Sequence, residues 1–191
     1  MDAPSTVPAF MSHARVERRA TRELEEDART WSDAHGARDL RGAAIASAAF
    51  DELARRAIEA RRAHRTLELP DEALEVLAWL FGESALRKAL EALQGGRVRR
   101  VAAVGSGRAM YAVASSEGAD GEKRSYLCFP SHYCSCRSFF WECVSRGEAL
   151  ACKHQLAARL ASVLGAAQTT TVDDALLGNM MMKYFEGDAA M

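Results

Sequence analysis

Five cysteines, Cys128, Cys134, Cys136, Cys143 and Cys152, stand within the 25 residues from Cys128 to Cys152 of a 191-residue chain. Three of them join a histidine in a telling order: Cys134-x-Cys136, a spacer of fifteen residues, then Cys152-x-His154. Three thiols and an imidazole match a closed, tetrahedral zinc site. A catalytic zinc keeps a position for water beside three protein ligands, so this set points to structure rather than catalysis. One Zn²⁺ held by Cys134, Cys136, Cys152 and His154 is therefore the expectation.

The one-residue spacing within each pair is short for a zinc finger and needs a local explanation. In an extended segment, side chains at i and i+2 share a face, so Cys134 and Cys136 can approach one ion together. Cys152 and His154 precede an apolar-periodic stretch, at a helix start where the chain is not yet regular. A short helix in the spacer brings the pairs together. Zinc also suits the energetics. A small hairpin with two short helices buries little apolar surface alone, and structural zinc supplies on the order of 10 kcal/mol to folding in finger peptides. The competing reading is a set of free core cysteines beside an unrelated histidine. Cys143, in the apolar stretch that Phe139-Phe140-Trp141 opens, and Cys128, in a strand-like run, are read as packed thiols. His132 is read as a surface histidine.

The elements that must position these residues follow from periodicity. Residues 1–15 carry two prolines and read as a mobile tail, and Val16, Ala20, Leu24, Ala28 and Trp31 make a thin helical stripe. From Ala43 to Ala63, Ile45, Ala49, Phe50, Leu53, Ala57 and Ile58 line one face of an amphipathic helix. That face can pack on its own domain or receive a partner, with Phe50, Leu53 and Ile58 as anchors. Pro70-Asp71-Glu72 starts a second helix that Gly82 ends. Ser84 can cap a third, which Gly95-Gly96 stops. The period then changes to two. Val98 to Val104 and Met110 to Val113 read as a hairpin about Gly105-Ser106-Gly107, and Ser125 to Phe129 as a third strand. Ser115 to Glu122 is a polar loop. Ser138 to Val144 reads as a short helix and Ala151 to Leu164 as a long one. Thr171 can cap a last helix toward Phe185.

Composition narrows the function classes. Hydrophobic residues make up 49% and charged residues 27%, an ordinary globular mixture. The formal net charge is −1, which excludes a histone-like polycation. No run is long and apolar enough to span a membrane. No secretory signal is visible, and an odd cysteine count argues against a disulfide framework. No G-x-x-x-x-G-K-[ST] is present, so no nucleotide is expected to be bound that way. An enzyme would need Cys128 or Cys143 as nucleophile, with no recognisable partner set, so the chain is expected not to be one.

Cys134-x-Cys136 … Cys152-x-His154-x-x-Ala157 resembles the SWIM zinc finger. More narrowly, Pro70-Asp71-Glu72, Trp79-Leu80-Phe81-Gly82, Tyr126-x-Cys128 and His132-Tyr133-Cys134-Ser135-Cys136 look like the small SWIM proteins of Shu complexes. The resemblance covers roughly residues 45–185 and leaves the first forty or so unmatched. It implies a nuclear, non-catalytic subunit in homologous recombination DNA repair. Such a subunit pairs with a RecA-like recombinase paralogue as a heterodimer and assists recombinase filament assembly on single-stranded DNA. The alternative is a SWIM-type protein-interaction adaptor without a nucleic-acid role.

The expected fold is α+β: a helical N-terminal half, a small antiparallel hairpin or sheet, and a zinc-bound SWIM module with C-terminal helices. The expected divisions are an extension over 1–42, a helical region over 43–95, the SWIM domain over 96–165 and a C-terminal helix and tail over 166–191. Residues 95–165 hold ten basic and five acidic side chains, a formal +5 before any metal, in a chain that totals −1. Phosphate contacts dominate nucleic-acid affinity and weaken with salt, so this modest excess implies weak DNA binding by the chain alone. Tyr111, Tyr126, Tyr133 and Trp141 are the candidates for stacking on bases.

Overall fold

The computed structural model describes residues 40–63, 69–115 and 124–188. The expected tail over 1–15, the stripe over 16–31 and the polar loop beyond Ser115 lie outside them. Three helices come first: α1 (Leu40–Arg62), α2 (Asp71–Phe81) and α3 (Glu83–Gln94). Strands β1 (Val98–Ala103), β2 (Ala109–Ala114), β3 (Ser125–Phe129) and β4 (Tyr133–Cys134) follow. A π-helix (Phe139–Ser145), helix α4 (Lys153–Leu164), strand β5 (Gln168–Val172) and helix α5 (Asp174–Asp188) complete the order. The fold is α+β. No described helix is long and apolar enough to cross a membrane.

The five strands form one sheet in the order β4-β3-β2-β1-β5. The first four pair antiparallel, as the turn signals predict. Strand β5 corrects the expectation of a purely antiparallel sheet, because it runs parallel to β1 with Val101 opposite Thr170. It also corrects the reading of Thr171 as a helix cap, since Thr171 lies within β5. Three consecutive threonines and a valine favour the pleated strand. The cap of α5 is Asp173, whose Oδ1 accepts from the Leu176 N–H at 2.6 Å.

Period-two alternation assigns each strand residue a face. Val98, Tyr111, Val113, Cys128 and Cys134 point to a core shared with helices, while Val101, Ala103, Met110 and Leu127 point to a second core under α5. Helix α4 touches the sheet on one side and α1 and α3 on the other. Nine of its twelve residues are buried, so it is the central helix rather than a surface one. Ala157, Ala158 and Ala161 let its neighbours approach closely, while Leu156, Leu160 and Val163 fill the space between.

Helix α1 spends its apolar face on this core. Phe50, Leu53 and Ala57 are buried, and Phe50 meets Phe81 of α2 edge to face at 6.0 Å. The Arg159 guanidinium of α4 lies over the Phe50 ring, 4.3 Å from its centroid. Of the expected face, Ile45 points outward and Ile58 is only half-buried. Gly82, at φ 83°, both ends α2 and precedes α3. Ser84 is consequently inside the first turn of α3 and is not its cap.

Candidate metal centre

Strand β4 is two residues long and delivers Cys134 opposite Cys128 of β3. The chain then leaves the strand direction, but its first step stays tied to β3. The Ser135 N–H donates to the Leu127 carbonyl at 2.9 Å, and the Leu127 N–H donates to Ser135 Oγ at 3.1 Å. Holding Ser135 down in this way turns Cys136 to the same side as Cys134. From there the π-helix carries the chain across to α4, its widened turn marked by the Arg146 N–H donating to the Trp141 carbonyl at 3.1 Å.

Cys152 is the residue just before α4 and His154 its second residue. Cys152 has extended backbone, with φ −77° and ψ 164°, which frees it from the helical direction and lets it converge with His154. A reciprocal cap fixes it. Cys152 Sγ accepts from the Gln155 N–H at 3.4 Å, and Gln155 Oε1 accepts from the Cys152 N–H at 3.2 Å. This is the capping-box arrangement with a thiol in place of the usual hydroxyl. Cys136 Sγ likewise accepts from the N–H three residues on, that of Phe139, at 3.3 Å. Two sulfurs from different elements thus face the same site, each steadied by one backbone donor.

The ligand atoms of Cys134, Cys136, Cys152 and His154 all lie within 4.8 Å of one another, and all four residues are buried. His154 presents Nδ1, 3.8 Å from Cys134 Sγ. Zn–S bonds of about 2.3 Å and Zn–N bonds of about 2.0 Å in a tetrahedron give sulfur–nitrogen edges of about 3.5 Å. The donor set and its spacing fit zinc. Four protein ligands leave no position for water, so what the metal supplies here is a cross-link between the β3–β4 edge and the start of α4.

Hydrogen bonds with Cys134 and then Cys152 hold Cys136 far below the usual thiol range. Contact with Cys128 and Cys136 pushes Cys134 far up, and contact with Cys134 and Cys136 does the same to Cys152. Loading with zinc removes protons from the raised thiols, so occupancy falls as pH falls.

The remaining candidates separate clearly. Cys128 is fully buried beside the tetrad, and burial raises its thiol above the ordinary range. Cys143 is half-buried, pushed up to about 12 by burial. Among the described residues, neither belongs to the cluster of potential metal ligands. His132 is exposed, as expected of a surface residue. Tyr111 is buried, and Tyr126 stacks on the His154 ring at 4.4 Å with the planes 26° apart. Trp141 is 48% exposed, so the π-helix is less a piece of core than its composition suggests. Sequence reasoning missed Gln155. The signal was present as a capping residue followed three positions on by glutamine, disguised because the capping atom is sulfur.

Comparisons with known proteins agree with this centre. The chain is 35% identical to zinc finger SWIM domain-containing protein 7 of Mus musculus over 116 residues, 60% of this chain and 72% of the relative. It is 34% identical to the Danio rerio protein of that name over 120 residues, 62% of this chain and 81% of the relative. For the Homo sapiens protein the identity is 33% over 115 residues, 60% of this chain and 77% of the relative. No family model matches the chain. No solved structure matches it. The sequence relationship and the buried Cys₃His cluster together support zinc binding, and the chain belongs to the SWIM zinc-finger family.

Proposed function

We propose that this chain is a non-catalytic, zinc-binding subunit of a Shu-like complex in homologous recombination. It acts with a RecA-like paralogue as a heterodimer in the nucleus and assists recombinase filament assembly on single-stranded DNA. One Zn²⁺ per chain holds the β3–β4 edge to α4 and so presents a fixed surface. The observation that carries the reading is the closed Cys₃His cluster in a chain related to SWIM domain-containing protein 7. A four-ligand centre suits a scaffold. The excess of basic over acidic residues in 95–165, ten against five, supports a role near nucleic acid.

The test is co-purification. The full chain, recovered from cells at native abundance, is expected to carry a RecA-fold ATPase at one-to-one stoichiometry, with one zinc per chain by metal analysis. Recovery of the chain without such an ATPase would overturn the complex.

A second reading, an interaction adaptor with no nucleic-acid role, is favoured by Trp79 on α2, an indole 74% exposed beside Val76, also exposed. The purified heterodimer discriminates. Salt-sensitive binding of single-stranded DNA supports the first reading, and its absence with the partner present supports the adaptor.

A further inference from the structure

The stacked pair Tyr126 and His154 separates two clefts. The smaller, about 130 Å³, lies on the His154 side, between α3, the end of β2 and the start of α4. Its charged lining is Lys88, Arg97, Lys153 and Arg87, against one acid, Glu91, already hydrogen-bonded to Arg87. The larger, about 1000 Å³, lies on the Tyr126 side and runs along the β4 edge to α5. Arg124, Arg137 and Lys183 line it, together with the rings of Tyr133, Phe139 and Phe140, and no described carboxylate does. The clefts adjoin. Tyr126 lines one, His154 lines the other, and their rings are 4.4 Å apart. The Ser115 N–H of the first donates to the Arg124 carbonyl of the second at 2.7 Å.

A surface that carries six cations beyond the Arg87–Glu91 pair, and no other described acid, selects a polyanion. Rings in the larger cleft, among them Phe140 at 59% exposure, select a polyanion with flat apolar groups. A single-stranded nucleic acid has both, with bases free to stack and phosphates to meet the cations. A duplex hides its base faces. We infer that the two clefts form one track for single-stranded nucleic acid across the Tyr126–His154 stack. The largely buried stack is the wall between a phosphate-binding cleft and a base-binding one, and zinc fixes it by holding His154. The inference rests on the nucleic-acid half of the proposed function and not on the partner.

Fluorescence anisotropy of the zinc-loaded full chain with a labelled oligothymidylate or oligouridylate of about 16 nucleotides tests it. At about 50 mM salt both are expected to bind measurably, and the tighter of the two names the source of the strand. Lys88→Ala with Lys183→Ala removes one exposed cation from each cleft. Affinity is expected to fall at least about tenfold, and the slope of log K against log salt by about 1.4. Arg62→Ala with Arg108→Ala removes two exposed cations outside the clefts and is expected to change affinity by less than about twofold. Phe140→Ala is expected to weaken binding about fivefold or more. Unchanged zinc content and melting temperature keep these losses attributable to the track. Equal loss in both double variants, equal binding of a duplex, or no binding by the wild-type chain at low salt overturns the track. None of those results touches a co-purifying ATPase, and a missing ATPase leaves the track standing.

Discussion

On one face of the sheet, Val98, Tyr111, Val113, Cys128 and Cys134 meet α4 and, through it, α1 and α3; on the other, Val101, Ala103, Met110 and Leu127 meet α5. The first face is covered two helices deep and ties to a four-ligand cluster. The second is covered by one helix from which, among the described residues, only Leu177 is buried, with Met180, Met181 and Tyr184 partly so. On this thin face, polar contacts add to the burial. Helix α5 is tied near its start, where the Ser106 N–H donates to Asp174 Oδ2 at 3.2 Å, and further along, where Tyr184 Oη and Ser125 Oγ share a hydrogen bond of 3.2 Å. Where apolar burial is deep, packing and a metal determine position. Where it is thin, individual polar ties do.

The strongest way to break this contrast is Cys152→Ser. Serine is a good helix cap, so the change keeps a capping oxygen for the Gln155 N–H and isolates the metal role. Loss of zinc is expected, and with it unfolding of the C-terminal half, since structural zinc sites contribute on the order of 10 kcal/mol. Metal analysis and circular dichroism check this. Full zinc occupancy after the change would contradict the four-ligand assignment.

Paired truncations sharpen the comparison. Leu156→Ala removes a side chain 1% exposed in the deep core, where the surroundings cannot collapse. Leu177→Ala removes one 3% exposed under α5, where a single helix can settle inward. Denaturant melts of the zinc-loaded protein are expected to give about 4 kcal/mol for the first and about 2–3 for the second. Equal losses would mean that the two faces are packed alike.

How much of this was legible in the sequence follows the same division. The tetrad was readable because metal chemistry constrains residue type and order at once. Helices α1 to α3 were readable because each buries one regular face, which period-3.6 spacing records, while α4 and strands β1 to β3, buried more nearly all round, were readable as apolar runs bounded by turn residues. Strand β5 was not. Four of its five residues are exposed, so Gln-Thr-Thr-Thr-Val carries no apolar alternation, and its pairing with the distant β1 leaves no local trace. The π-helix was read as a short helix, and the exposure of Phe140 and Trp141 on it was not legible, because aromatic content says nothing about exposure. The stack of Tyr126 on His154 joins residues far apart in sequence, and no spacing rule reports it.

Gly165→Ala makes a smaller change on the deep face. Gly165 closes α4 at φ 64°, a conformation that alanine adopts only with strain, and an added Cβ would stand 2.6 Å from Arg61 Nη2. That guanidinium donates to the Val163 carbonyl at 2.9 Å and has a flexible end that can shift. A loss of about 1–2 kcal/mol is expected from thermal melts. An unchanged melting temperature would show that the end of α4 is not held in this conformation.

The smallest effect belongs to Asp174→Asn, and its interest lies in the pH dependence. Hydrogen bonding from Ser106 lowers the Asp174 carboxyl below its ordinary range, with the Gly105 and Ser106 backbone and Arg108 adding to the effect. A carboxyl lowered on folding stabilises the folded state at any pH above its unfolded value, near about 4, and loses that contribution as pH falls through the lower folded value. Asparagine keeps an acceptor for the Ser106 N–H but no charge at any pH. The two proteins are therefore expected to differ slightly and constantly from neutrality down to about pH 5, then to converge below about pH 4. Acid also releases zinc, so the readout must be specific to α5. Hydrogen exchange of the α5 amides, compared between the two proteins at matched zinc occupancy, provides it. A difference that grows as pH falls would mean that the Asp174 charge opposes the α5 contact, and the account of the thin face as held by polar ties would have to give up its first one.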